Sequence, residues 1–231
     1  MNSLRTKFFI VDIDQSLDSI AETFSKYRFT EKRGSGININ SLDYYELVCT
    51  FIEKKHVVEK IILPNGATDT FEHDRYIYVD FKLSPTPNHN SYYILQVHNP
   101  PQSIKSLSSI ISKLLPGSGF HQHQMNLDVF TKSIKSENHV SRLKAHKLWA
   151  SSLRLSDNSI AKIELSSENN ALTELKSLYR DFILEKIQLS FRFESNTFQV
   201  IASKNCSIIY DSLTIEETIK NAYLNSISFQ A

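Results

Sequence analysis

Arg75-Tyr76-Ile77-Tyr78-Val79-Asp80-Phe81-Lys82-Leu83 decides the fold class. Ile77, Val79, Phe81 and Leu83 alternate with Tyr76, Tyr78, Asp80 and Lys82, a period of two that puts four apolar side chains on one face of a half-buried strand. Upstream, Pro64-Asn65-Gly66 is a turn, and residues 56–63 before it form the partner strand. Residues 44–53 repeat the alternation, with Tyr45, Leu47, Cys49 and Phe51 set against Glu46 and Thr50. These segments predict an antiparallel meander. It is preceded by a Gly34-Ser35-Gly36 loop, a strand over 6–13, and a helix capped by Asp14 that carries Leu17, Ile20, Ala21, Phe24 and Tyr27 at helical spacing.

Downstream, Ser84-Pro85-Thr86-Pro87-Asn88-His89-Asn90 reads as a linker, because two prolines among polar residues interrupt both regular structures. It divides the chain into a β-rich N-terminal domain, 1–90, and an α+β C-terminal domain, 91–231. Strands are expected at 92–98, 125–130, 160–165, 187–193, 198–202 and 208–210. Helices are expected over 104–115, 171–183 and 215–224. Residues 131–155 are basic and read as helical in part. The fold class is α+β: an N-terminal strand-helix and antiparallel β meander, followed by an α/β sandwich-like second domain.

Of the 231 residues, 41% are hydrophobic and 11% aromatic, enough for a packed core. The longest apolar runs, such as Phe8-Phe9-Ile10-Val11, fall far short of the roughly 20 residues of a membrane-spanning helix, so no membrane insertion is expected. Asp12 and Asp14 break that first run too early for a secretory leader. Cys49 and Cys206 sit in apolar runs without ligand spacing, as buried thiols of a reducing, cytoplasmic protein do. With five glycines and no Walker, GxGxxG, HExxH or GxSxG pattern, neither a cofactor nor a nucleotide-dependent reaction is expected.

Two constellations carry candidate chemistry. Phe8 to Leu17 resembles the opening motif of haloacid-dehalogenase-type phosphatases in its Asp12 and Asp14, but Gln15 stands where that family has glycine, so a strand end and helix cap is the reading adopted. His121 and His123, two apart on an extended segment, could face one metal ion together with Asp128, the ligand set of a metal-assisted nuclease or phosphoesterase. The polar-loop reading of these residues is the commoner one.

Charge is the stronger signal. The formal net charge is +1, yet residues 99–154 carry +6 while 41–98 and 155–231 each carry −3. Lys132, Lys135, Arg142, Lys144, Lys147 and Arg154 fall within 131–154, accompanied there only by Glu137. Such a block suits a phosphate backbone and predicts salt-sensitive binding with little base readout. DNA is expected ahead of RNA. A basic segment that docks an acidic protein partner is the competing reading.

The order of an aromatic meander, Tyr93-Ile94-Leu95-Gln96-Val97-His98, a Ser/Lys/Leu/Ile helix, a basic centre, Ala161-Lys162-Ile163-Glu164-Leu165, a helix, and Gln188-Leu189-Ser190-Phe191-Arg192-Phe193 resembles RexA-type phage-exclusion proteins over about residues 75–195. The resemblance implies a non-enzymatic, DNA-binding, dimeric component of a phage-defence system that works with a membrane effector. It transfers no catalytic residue.

Overall fold

The computed structural model describes residues 3–87, 89–121, 123–156 and 159–227. Among them are eleven strands and five α-helices, and the strand pairs are antiparallel, so the fold is mixed and rich in sheet. None of the described helices is long and apolar enough to cross a membrane. The chain separates into two compact units, Phe9–His121 and Met1–Phe8 with Gln122–Ala231. The division therefore falls at His121/Gln122 and not at 84–90.

The first unit holds β2 (Ser35–Leu42), β3 (Leu47–Ile62), β4 (Thr68–Thr86), β5 (His89–His98) and the second half of β1 (Leu4–Asp12), in the order β2-β3-β4-β5-β1. β6 (Gly119–His121) pairs with β1. The alternation read in the sequence holds: Cys49 lies opposite Phe81 and Phe51 opposite Val79. All four are buried with Ile20 and Phe24 of α1 (Leu17–Ser25) and Leu107 and Ile111 of α2 (Lys105–Leu114). The two strands expected over 44–53 and 56–63 are one, β3. It starts at Leu47 because the Asp43 carboxylate accepts the amides of Tyr45 and Glu46 in a turn, leaving Tyr45 exposed. Beyond Ile52 on β3 and before Val79 on β4 no residue is buried, so the outer half of this hairpin is a bare two-stranded ribbon.

Several local expectations change here. Helix α1 is capped by Ser16, whose hydroxyl accepts the Ser19 amide, not by Asp14. The supposed loop at Gly36 opens β2. The 84–90 stretch is no linker: Ser84, Pro85 and Thr86 finish β4, and Thr86 pairs with His89, while Asn88 lies outside the described residues. The ladder shifts register at Pro85/Thr86, and a bulge of this kind is where a residue without an N–H is tolerated.

The second unit orders its strands as β1-β11-β10-β9-β7-β8, with β7 (Val140–Ser156), β8 (Ser159–Ser166), β9 (Ile183–Phe193), β10 (Asn196–Ser203), β11 (Ser207–Tyr210) and the first half of β1. Ala145, Leu148, Ile187, Leu189, Val200 and Ala202 form one buried face. Against it lie α3 (Leu127–Ser136) and α4 (Ala171–Leu178), and α5 (Glu216–Ser226) packs on α3. Phe8 stacks on Tyr223 of α5 at 4.6 Å between ring centroids, and Thr6 and Tyr210 share a buried hydrogen bond of 3.0 Å.

The strand expected at 125–130 is instead the first turn of α3. Asn126 caps it, accepting the amides of Asp128 and Val129, and Leu127, Phe130 and Ile134 then recur at helical spacing into the core. Helix α4 stops at Leu178, short of residue 183, and the chain enters β9.

Candidate nucleic-acid interface

The basic segment 131–154 folds as the body of α3 and nearly all of β7, so its cations divide between the two sides of one sheet. Helix α3 buries Phe130, Thr131, Ser133 and Ile134, which turns Lys132 and Lys135 outward on the helical layer. Lys132 is spoken for by Asp128 at 2.9 Å. Strand β7 buries Ala145, Leu148 and Ala150 towards that layer, and Lys144, His146, Lys147 and Trp149 are left half-buried on the opposite, open face.

β7 is irregular, and the irregularity decides what that face presents. Its register against β9 slips between Ser141 and Lys144 and again between Ala145 and Lys147. Arg142 (φ 54°) and Ser152 (φ 59°) take left-handed backbone at bulges. The slip at Ala145/Lys147 lets consecutive residues His146 and Lys147 both avoid the core. A regular strand would have turned one of them inward.

Trp149 is the centre of the open face. The Lys147 ammonium lies 5.0 Å and that of Lys186, from β9, 4.6 Å from its ring centroid. Its indole N–H donates to Glu164 on β8 at 2.7 Å, and Lys147 also binds that carboxylate. Lys147, with Trp149 assisting, holds the Glu164 carboxyl below the usual carboxylate range. One positive charge is thereby cancelled. Lys144 donates to the Glu168 carbonyl, a neutral acceptor, and keeps its full charge. His146 shares a 2.6 Å hydrogen bond with Ser190 of β9, and Arg192, two residues along the same strand face, is exposed. Among the described residues, Arg142, Arg154, Lys135 and Arg192 have no acidic partner.

The structure thus gathers Lys144 and Lys147 of the six sequence candidates, with Arg142 at the bulge beside them. Lys132 and Lys135 go to the helical side, and Arg154 to the far end of β7, about 30 Å of strand from Lys144 at about 3.3 Å per residue. Lys186 and Arg192 are functional candidates that sequence reading missed. They sit in a net-acidic part of the chain, and only the pairing of Lys186 with Trp149 and of Arg192 with Ser141 brings them to β7.

The histidine pair lies where the chain passes from one unit to the other. His121 belongs to the first unit, where its ring meets Tyr92 edge-on at 6.2 Å between centroids. His123 belongs to the second, where its carbonyl accepts the Cys206 thiol at 3.1 Å. Asp128 is engaged by Lys132 and Lys176. Among the described residues no three His, Cys, Asp or Glu side chains come together as metal ligands. Cys206 and Cys49 are buried thiols, pushed up by desolvation to about 11 and about 12. Compared with protein-family models and with curated proteins, the chain matches none.

Proposed function

We propose that this protein binds nucleic acid without reading its sequence, as a binder and not a catalyst, through the open face of β7 and β9. The observation that carries this reading is Trp149 with the Lys147 and Lys186 ammonium groups against its ring on the open face of the sheet, with Lys144 and Arg192 on the same face. An aromatic ring offers a stacking surface to any base, and Lys144, Lys186 and Arg192 around it meet the phosphates, so the arrangement favours single-stranded DNA. The resemblance to RexA-type proteins supports placing that binding in a phage-defence or mobile-element system, with a homodimer and a protein partner as its corollaries.

Trp149 is the one tryptophan of the chain, so its fluorescence reports directly on the face. Titration with oligothymidylate of about 16 nucleotides, near the upper site size of single-strand binders, is expected to quench it, with affinity falling steeply as salt rises. Lys144→Glu/Lys186→Glu should weaken binding at least tenfold, and Lys132→Glu/Lys135→Glu should leave it within about twofold. Absence of quenching at low salt, or equal losses in the two double variants, refutes the assignment. Binding of an acidic protein in place of any oligonucleotide would point to the docking alternative.

A further inference from the structure

We propose that the second unit holds a separate binding site for a nucleoside monophosphate, in a cavity of about 680 Å³ bounded by the start of α3, the end of α4 and the β10–β11 turn. The cavity exists because α4 stops early. Tyr179 leaves the helix in extended conformation, and Tyr179, Arg180 and Phe182 then line the space beside Asn126 and Asp128. Met125, Leu127, Ile183 and Leu184 give it apolar walls. Lys204 closes one side on a fixed backbone: its amide donates to the Glu185 carbonyl and its own carbonyl accepts from Met125, both at 2.9 Å.

The charge balance selects an anion. Among the described residues that line the cavity Asp128 is the only carboxylate, and it is occupied by Lys132 and Lys176. Partial burial pushes its pKa up, and the two ammonium hydrogen bonds together outweigh that and hold it below the usual range. Arg180 has no acidic partner among the described residues. Lys204 stands 3.7 Å from Glu185, whose carboxylate also takes the Ser151 hydroxyl at 2.7 Å. Asn126 takes up the Asp128 and Val129 amides at the start of α3, which leaves the anion chiefly to side chains. Arg180 can fork onto two phosphate oxygens while Lys204 supplies a point charge.

The remaining lining selects a planar body. Tyr179 and Phe182 offer ring surface for stacking, and the Gln124 amide carries both donor and acceptor for a heterocycle edge. The volume falls in the usual range of about 300–1,000 Å³ for small-ligand sites. This site is independent of the β7–β9 face. The nucleotide it takes comes either free from solution or as the 5′-phosphorylated end of a strand.

Isothermal titration of the full chain with each common nucleoside 5′-monophosphate tests the site, alongside inorganic phosphate and the matching nucleosides. At least one monophosphate should bind more tightly than phosphate or its nucleoside, and Arg180→Gln/Lys204→Gln should weaken it at least tenfold with the circular-dichroism melt unchanged. Asp128→Asn, which removes the opposing charge, should strengthen it severalfold. Competition by a 5′-phosphorylated oligonucleotide but not its 5′-hydroxyl form assigns the strand end as source, and competition by neither assigns the free nucleotide. The proposal is overturned if no monophosphate binds below about 1 mM, a weak-binding ceiling near 4 kcal/mol. It is equally overturned if inorganic phosphate binds as well, or if the double variant binds unchanged.

Discussion

Replacing Gly36 by alanine should break the edge of the meander. A Cβ built there lies 2.0 Å from the Phe29 nitrogen, 2.2 Å from its Cα and 2.5 Å from the Arg28 carbonyl carbon. All three are main-chain atoms, so no side chain can swing away, and the 28–29 segment must withdraw by about 1.4 Å or more to bring the 2.0 Å approach to the 3.4 Å of ordinary contact. That segment is held to β2 by the Ile37 amide, which donates to the Tyr27 carbonyl at 2.8 Å. Withdrawal sacrifices this bond, about 1 kcal/mol, and adds overpacking strain of about 1–3 kcal/mol. The expected destabilisation is about 2–4 kcal/mol, which at about 2–4 °C per kcal/mol lowers the melting temperature by about 5–15 °C. Gly66→Ala serves as the control, since that position is open and carries only the cost of its φ of 80°. Thermal melts by circular dichroism decide the matter. If Gly36→Ala melts within about 2 °C of the parent, or above Gly66→Ala, the close approach of the two segments is wrong.

Asn126→Ala removes the acceptor for the amides of Asp128 and Val129 and should cost about 1 kcal/mol, read as a fall in the urea midpoint at unchanged m-value. Neither thiol should react with Ellman's reagent at pH 8 in the folded protein, and both should react in guanidinium, because burial raises Cys206 to about 11 and Cys49 to about 12. These thiols and Tyr210, raised by burial to about 12, set an alkaline limit. Their protons leave the unfolded chain first, so stability is unaffected below about pH 8.5 and declines as pH rises towards 11–12, which a series of urea melts across that range would show. Asp128 acts at the other end: its depressed pKa supplies stability above the ordinary carboxylate range that is lost on acidification, and Asp128→Asn should flatten that acid limb.

The strands were legible where the period of two was unbroken, as in β4, β8 and β9, and the core register followed from it. Residues 125–130 misled because six apolar-rich positions fit either period, and the side chain that settles them, Asn126, acts through hydrogen bonds to amides it precedes. The proline pair at 85 and 87 looked like a linker because a bulge at Pro85/Thr86 is invisible without the partner strand. The basic segment was correctly found as a charge excess but not as a surface. Helix and strand carry its lysines to opposite sides of a sheet, and the bulges of β7 decide which ones share a face with Trp149.

The bare outer ribbon of the β3–β4 hairpin makes part of the chain free to vary in length. Its base is fastened by Lys54, which bonds Glu31 at 3.0 Å and Asp74 at 2.9 Å, and by Tyr76, whose hydroxyl donates to Glu31 at 2.9 Å. Beyond that clasp no side chain is committed to a core. Residues can be inserted or removed there two at a time on each strand, keeping every side chain on its own face, without disturbing Phe51 or Val79. Relatives of this chain should therefore differ most in the reach of this arm, and amide exchange should melt it separately from the sheet that carries it.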